Sequence, residues 1–231
     1  MTAASSFAII ASPMLEVAMS LWSLFLNQRG RSVHKWPHYF PIYEQHFGRF
    51  VNRPCLMIEI GVEAGGSLQL WKAYLGPHAQ IVGLDNNPAC AFEEEQIAVC
   101  IGDQADPAVL AAVLDKFGIP DIVLDDGGHH MAQILASFRF LYPRTAAGGV
   151  YLVEDLHTAY WEEYGGGLRR DGSFIEFAKA LVDELHTEHT RGALAVSEFA
   201  RTTLGIHFYD SVCVFERGRH PGIRTPLRRG S

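Results

Sequence analysis

Paired cysteines, a basic surface and a long unbroken apolar run are all missing from this sequence, and each absence removes a class of protein. The four cysteines, at positions 55, 90, 100 and 213, form no CxxC pair and no zinc-ligand spacing. That excludes a disulfide framework and a thiolate zinc site, and leaves free thiols, mostly in or beside apolar runs, in a reducing cytoplasm as the expectation. Lys and Arg number 19 against 26 Asp and Glu, a net charge of -7, which argues against a broad nucleic-acid surface. Only Arg217–Arg229 is locally basic, and with its Gly and Pro it reads as a flexible tail over residues 219–231. The most apolar stretch, Phe7–Leu26, is interrupted by Pro13 and Glu16 and has no basic residues ahead of it, so no membrane span is expected. Within it Leu15, Met19, Trp22 and Leu26 recur at helical spacing. An amphipathic helix that packs on the domain or on another copy of the chain follows, and with it a homo-oligomer joined through this segment. No internal repeat or low-complexity tract is visible.

What is present is a regular alternation of short apolar runs and helical patterns. The chain has 231 residues, 48% of them hydrophobic, which suits one globular domain. Residues 1–50 form an N-terminal segment: the helix, then a polar, aromatic connection, RSVHKWPHYFPIYEQHFGRF. Residues 51–218 form the main domain. There CLMIEIG, QIVGLD, IAVCIGD, DIVLDD and VYLVED read as strands. SLQLWKAYLG, PAVLAAVLDKFG, MAQILASFRFLY and SFIEFAKALVDELHTEHT read as helices, the second opened by Asp106 before Pro107 and closed by Gly118. LGIHFYDSVCVFERG reads as a terminal antiparallel hairpin turning at Tyr209 and Asp210. Strands alternating with helices imply an α/β fold, a parallel sheet covered on both faces. Such sheets bind ligands at the carboxyl ends of their strands. Every acidic cluster falls at such an end: Asp85, Asp103, Asp125 with Asp126, and Glu154 with Asp155.

The first strand turns into its helix through EIGVEAGGS. Gly61, Gly65 and Gly66 would let the backbone approach a ligand closely. The spacing is not GxGxxG and there is no P-loop lysine, so a pyrophosphate is disfavoured. Glu59 beside the glycines suits a cationic ligand instead. Asp85 is placed to accept ribose hydroxyls, and Asp103 with Gln104 to read an adenine edge. These features describe S-adenosylmethionine as well as a dinucleotide.

The other strand ends carry VLDDGGHH and YLVEDLH. Asp126, Glu154 and Asp155 are hard oxygen ligands with no thiolate among them, which favours Mg²⁺, Mn²⁺ or Ca²⁺ over zinc. Neighbouring parallel strands lie about 4.8 Å apart, so two strand ends can aim these side chains at one ion. His129, three residues beyond Asp126, places an imidazole beside it, and an ordinary pKa of about 6.5 suits a general base. His130 and His157 compete for that role.

MIEIGVEAGGSLQLW, IVGLDNNP, IGDQAD, DIVLDDGGHH and GGVYLVEDLHTAYW together resemble the metal-dependent class I S-adenosylmethionine O-methyltransferases of macrolide sugars. The same family includes bacterial proteins often labelled cephalosporin hydroxylase. The similarity runs from Lys35 to Arg217, and its most specific part is DDGxH combined with a strand-end Glu-Asp pair. It implies a Rossmann-like, seven-stranded, mostly parallel sheet in the order 3-2-1-4-5-7-6. A short helical segment stands where such enzymes can carry a large N-terminal domain. It implies that Asp126, Glu154 and Asp155 hold Mg²⁺ (Mn²⁺ being possible) and that His129 acts with Asp126 in catalysis as the base. Glu59, Gly61, Ser67, Asp85, Asp103 and Gln104 would line the S-adenosylmethionine pocket. Gly128 stands where related sequences often have Ser. The reaction implied is methyl transfer to a hydroxyl of a small natural product, a sugar of a glycosylated antibiotic-type metabolite. Two rivals are a non-haem iron hydroxylase and a non-catalytic cofactor-binding module. Tyr160 and Trp161 read as a wall over the acceptor or as loop packing. Tyr39 and Tyr43 either close the cofactor side or belong to the core.

Overall fold

The structure, a computed structural model, describes residues 20–220. The helices are α1 (Leu21–Asn27), α2 (Tyr39–Phe47), α3 (Gly66–Leu75), α4 (Pro107–Phe117), α5 (Met131–Leu141), α6 (Phe174–Leu185) and α7 (Glu198–Thr202). The strands are β1 (Cys55–Ile60), β2 (Ala79–Asp85), β3 (Glu93–Glu94), β4 (Ile97–Ile101), β5 (Ile122–Asp125), β6 (Val150–Val153), β7 (Thr203–Tyr209) and β8 (Val212–Arg217). They form one eight-stranded sheet in the order β3-β4-β2-β1-β5-β6-β8-β7. The five strands from β4 to β6 run parallel, while β8, β7 and β3 pair antiparallel. Without the two-residue β3 this is the expected order 3-2-1-4-5-7-6. The eighth strand is a correction to the sequence reading: Glu93 and Glu94 are exposed and short, and carry no apolar alternation to announce a strand.

Alternation along the strands decides which layer each residue enters. Met57, Ile81, Leu124, Leu152 and Val214 face a cluster completed by Leu21 of α1, Tyr43 and Phe47 of α2, and Trp71 of α3. Their neighbours Ile58, Val82, Val123, Tyr151 and Phe215 face the other cluster, with Leu110 of α4, Phe138 of α5 and Phe174 of α6. The residue 20–50 segment thus shares a core with the sheet. Local signals end the helices as expected. Asp106 accepts from the Ala108 N–H at the start of α4, Gly118 stops it at φ 102°, and Ser173 caps α6.

Three expectations change. The aromatic connection contains α2, whose Tyr39, Phe40, Ile42, Tyr43, His46 and Phe47 are buried at helical spacing. Pro41 obscured it, yet a proline in the first turn interrupts nothing, because those N–H groups have no intrahelical acceptor. In α1 the buried residue is Leu21, while Trp22 and Leu26 are exposed; Leu15 and Met19 lie outside the described residues, as does most of the expected tail. The last long helix stops at Leu185, where His186 leaves helical geometry at φ -100°, ψ 14°. Among the described residues no helix is long and apolar enough to cross a membrane, and the four cysteines are free thiols.

Candidate active site

The carboxyl ends of β1, β2, β4, β5 and β6 open on a cavity of about 430 Å³, a volume typical of small-molecule sites. The sheet's order reverses direction between β1 and β5, which leaves the crevice there. Gly61, Ser67, Asp85, Asp103, Gln104, Asp126, His129 and Asp155 all line it.

Asp85 accepts from the backbone N–H groups of Val62, Glu63 and Asn87. Burial alone would raise its pKa, but these bonds outweigh it and hold the carboxyl below the usual carboxylate range. It is therefore a fixed anion in the mouth of the cavity. Gln104 is less free than the sequence implied. Its Nε2 donates to Asp125 at 3.1 Å and its Oε1 accepts from the Gly128 N–H at 2.9 Å, so it braces the β5 loop. Asp103 accepts from the Ala105 N–H in a tight turn.

Glu59, Gly65 and Gly66 are absent from the lining. Glu59 is fully buried below it, accepting from Ser67 Oγ at 2.7 Å and Trp71 Nε1 at 3.1 Å. A Cβ on Gly66 would sit 2.1 Å from the Ser32 carbonyl oxygen, and one on Gly65 2.3 Å from the Phe92 ring. The close approach these glycines permit is to the chain itself, which lets residues 31–32 cross the start of α3. Gly61 does lie at the cavity, at φ 89°, and a Cβ there would come 2.0 Å from the Asp126 carbonyl oxygen. Only glycine lets β1 leave the sheet against the end of β5.

Beyond β5 the two aspartates part. Asp125 turns inward and accepts from Ser137 Oγ, Tyr151 Oη and Gln104 Nε2. Asp126 turns to the cavity. His129 Nε2 stands 3.8 Å from Asp126 Oδ1 and 3.6 Å from Asp155 Oδ2. His129 and Asp155 both adopt left-handed backbone, at φ 56° and 57°, a conformation that costs a non-glycine residue about 1 kcal/mol or more and often marks functional sites. The ligating atoms of Asp126, His129 and Asp155 all lie within 4.8 Å of one another. An octahedral Mg²⁺ places its ligands about 2.1 Å away, hence roughly 3–4 Å apart, so the Asp126 and Asp155 oxygens fit such an ion with the His129 imidazole beside it. A second cavity of about 20 Å³, room for a single water-sized body, is lined by Asp126, Glu154 and Asp155 together with His34, Lys35, Trp36 and Tyr39, so the Lys35 ammonium already stands among these carboxylates. Asp126 Oδ1 and Asp155 Oδ2, the oxygens not taken by Lys35 and Tyr39, are the donors that fit a hard cation here.

His157 is committed elsewhere, its Nδ1 bonded to Ser211 at 2.7 Å. His130 is the N-cap residue of α5 and contacts Tyr164. Of the three histidines considered, His129 is the one beside the carboxylates. Tyr39 and Tyr43 are buried and also polar partners, Tyr39 Oη donating to Asp155 at 2.7 Å and Tyr43 Oη to Glu154.

Lys35 is the residue the sequence reading missed. Its ammonium donates to Asp126 Oδ2 at 2.5 Å and to Glu154 Oε1, and lies 3.5 Å from Glu59. Burial would lower its pKa, yet the three carboxylates together raise it well above the usual value, so it is a cation. Burial, then the nearby Asp126, push the Glu154 carboxyl well up, with Lys35 opposing. Glu154 therefore gives one oxygen to Lys35 and the other to Tyr43, and stands behind Asp126 and Asp155.

A mostly parallel sheet in this order, with a glycine turn, a strand-end acid on β2 and an acidic cluster after β5 and β6, is the class I S-adenosylmethionine methyltransferase fold. The MycE methyltransferase from the mycinamycin biosynthetic pathway, solved in complex with Mg, S-adenosylhomocysteine and mycinamycin VI, superposes with a TM-score of 0.78 at 31% identity over 93% of this chain and 58% of that one. By sequence the chain is related to the sugar O-methyltransferases of antibiotic pathways. It is 38% identical to an 8-demethyl-8-(2-methoxy-alpha-L-rhamnosyl)-tetracenomycin-C 3'-O-methyltransferase of Streptomyces olivaceus, over 83% of this chain and 52% of the relative. It is 34% identical to the demethylmacrocin O-methyltransferase of Streptomyces fradiae, over 86% and 52%. The chain thus spans about half the length of the curated relatives it matches. No protein-family model matches it.

Proposed function

We propose that the chain is a Mg²⁺-dependent S-adenosylmethionine O-methyltransferase acting on a sugar hydroxyl of a glycosylated small natural product. The observation that carries this is the meeting of Asp126, His129 and Asp155 within 4.8 Å in the lining of a cavity of about 430 Å³. The names of the relatives agree with it.

In this reading Asp85 accepts the ribose hydroxyls, and Gly61, Ser67, Asp103 and Gln104 shape the pocket around the nucleoside. Asp126, Glu154 and Asp155 hold the cation, Glu154 joining once Lys35 releases its Oε1, with Mn²⁺ as a substitute. S-adenosylmethionine supplies an activated methyl group, and the divalent ion lowers the pKa of the acceptor hydroxyl. His129 takes that proton at Nε2, flanked by two carboxylates that stabilise the imidazolium formed. The protein's further contribution is alignment of acceptor oxygen and methyl carbon. An iron hydroxylase would need two histidines and a carboxylate at one ion; this cluster offers one histidine among carboxylates. A purely binding module would need the pocket but not a histidine set between two carboxylates beside it. The reaction belongs in the cytoplasm, where the unpaired thiols are stable. Self-association through the N-terminal segment would use the exposed Trp22 and Leu26 of α1, and is read by light scattering.

The test is methyl transfer from labelled S-adenosylmethionine to a panel of glycosides, with Mg²⁺ and with EDTA. Asp126→Ala should abolish transfer yet still bind S-adenosylhomocysteine by calorimetry. Full activity in that variant, or in EDTA, refutes the reading.

A further inference from the structure

We propose that a belt of aromatic rings around the reactive cluster is the surface on which the acceptor stacks, with Trp36 and Trp161 as its specificity-determining residues. The inference rests on the transfer reading above and assigns the half of the site that the cofactor pocket does not explain.

Six rings follow one another along the belt. Tyr39 meets Trp36 at 5.5 Å between centroids, and Trp36 stacks on His157 at 4.8 Å and 16°. His157 meets Trp161 at 4.8 Å, Trp161 meets Tyr164 at 5.9 Å, and Tyr164 meets His130 at 5.1 Å. One end touches the cluster and the other lies one residue from it in the chain. Tyr39 donates to Asp155, and His130 follows His129 directly in the chain. Trp36 also lines the small cavity shared by Asp126, Glu154 and Asp155. The belt therefore borders the spot where an acceptor hydroxyl has to arrive.

Its indoles are partly open, with one face of Trp36 covered by His157. Trp36 is 36% and Trp161 45% exposed, whereas Trp71 in the core is 0% exposed. They are also held. His157 is pinned by Ser211, and the loop beyond it folds back on itself, the Gly166 N–H donating to the Trp161 carbonyl and the Gly167 N–H to that of Ala159. A Cβ on Gly166 would lie 2.4 Å from the Ala159 oxygen, so the fold of this loop requires glycine there. Rigid, exposed aromatic faces bind apolar ring surfaces at little cost in side-chain entropy. The cations beside the belt are engaged, Lys35 by Asp126 and Glu154 and Arg170 by the Gly166 carbonyl. The acceptor it fits is a neutral glycoside with an apolar ring-bearing aglycone, its sugar at the cluster and its aglycone on the indoles.

The experiment compares phenyl α-L-rhamnoside with methyl α-L-rhamnoside on the full chain, by calorimetry in the presence of Mg²⁺ and S-adenosylhomocysteine, and by steady-state transfer. The phenyl glycoside should bind the more tightly. Trp161→Ala and Trp36→Ala should each raise its Kd and KM roughly tenfold, with a much smaller fall in kcat, and Trp161→Phe should recover most of the loss. Unchanged affinity for S-adenosylhomocysteine shows that each variant is folded. Equal binding of the two glycosides, or KM and Kd within twofold of wild type in both alanine variants, overturns the belt while leaving methyl transfer standing. If no glycoside is methylated, the binding arm alone still decides the belt.

Discussion

Replacing Lys35 with Met removes the one cation among Glu59, Asp126 and Glu154 while keeping a side chain of similar length. Side-chain exposure is 3% for Lys35, 1% for Glu154 and 0% for Glu59, so water offers these groups little compensation. Breaking a buried ion pair by removing one partner costs about 3–5 kcal/mol. In a chain of this size each kcal/mol lowers the midpoint by about 2–4 °C, so Lys35→Met should melt roughly 6–20 °C lower in EDTA. Addition of Mg²⁺ tests the cause. At a hundred times its Kd a ligand adds about 2.7 kcal/mol. In the variant the cation no longer shares Asp126 and Glu154 with an ammonium, and it replaces the missing charge. The Mg²⁺-induced rise in midpoint should therefore be larger than in wild type. Thermal denaturation followed by circular dichroism, in EDTA and across a Mg²⁺ series, reads both quantities. A metal-free midpoint within about 2 °C of wild type, or equal Mg²⁺ shifts in the two proteins, refutes the account of Lys35 as the counter-charge of the cluster.

Gly61→Ala puts a methyl group 2.0 Å from the Asp126 carbonyl at a φ of 89°. It should cost at least about 2 kcal/mol in urea denaturation and weaken Mg²⁺ binding through the displaced Asp126; wild-type values in both would show that the backbone there is not constrained. Glu216, outside the cavity lining, ties α2 and the turn after it to β8 through His46 at 2.7 Å and Arg49 at 2.7 Å. Burial would raise its carboxyl, but the His46 bond and then Arg49 bring it from 4.5 to about 2. A depressed carboxylate stabilises the fold above its unfolded pKa, and the contribution fades as pH falls from 4.5 towards about 2. Glu216→Gln should therefore lose roughly 2–3 kcal/mol at pH 7 and almost nothing at pH 2. A difference that does not change with pH in urea titrations would contradict this.

The alternation of apolar strands with helices, the caps at Asp106 and Ser173, and the acids at strand ends are local patterns. Local patterns survive in a single sequence, because propensity and periodicity act over a few residues. They determined the parallel sheet and the placing of Asp126 and Asp155 at strand ends beside one cavity, while the strand order was implied by the family resemblance and not by any local pattern. Tertiary structure alone decided the rest. Lys35 meets Asp126 and Glu154 across 91 and 119 residues of chain, and nothing near Lys35 reveals those partners. The same holds for Glu59, drawn under the pocket by Ser67 and Trp71, and for Gly66, whose missing side chain makes room for Ser32. Which way Asp125 and Asp126 point follows from the pleat of β5 once its neighbours are in place. A buried charge takes its meaning from what surrounds it in space, and that surrounding exists only after the chain has closed on itself.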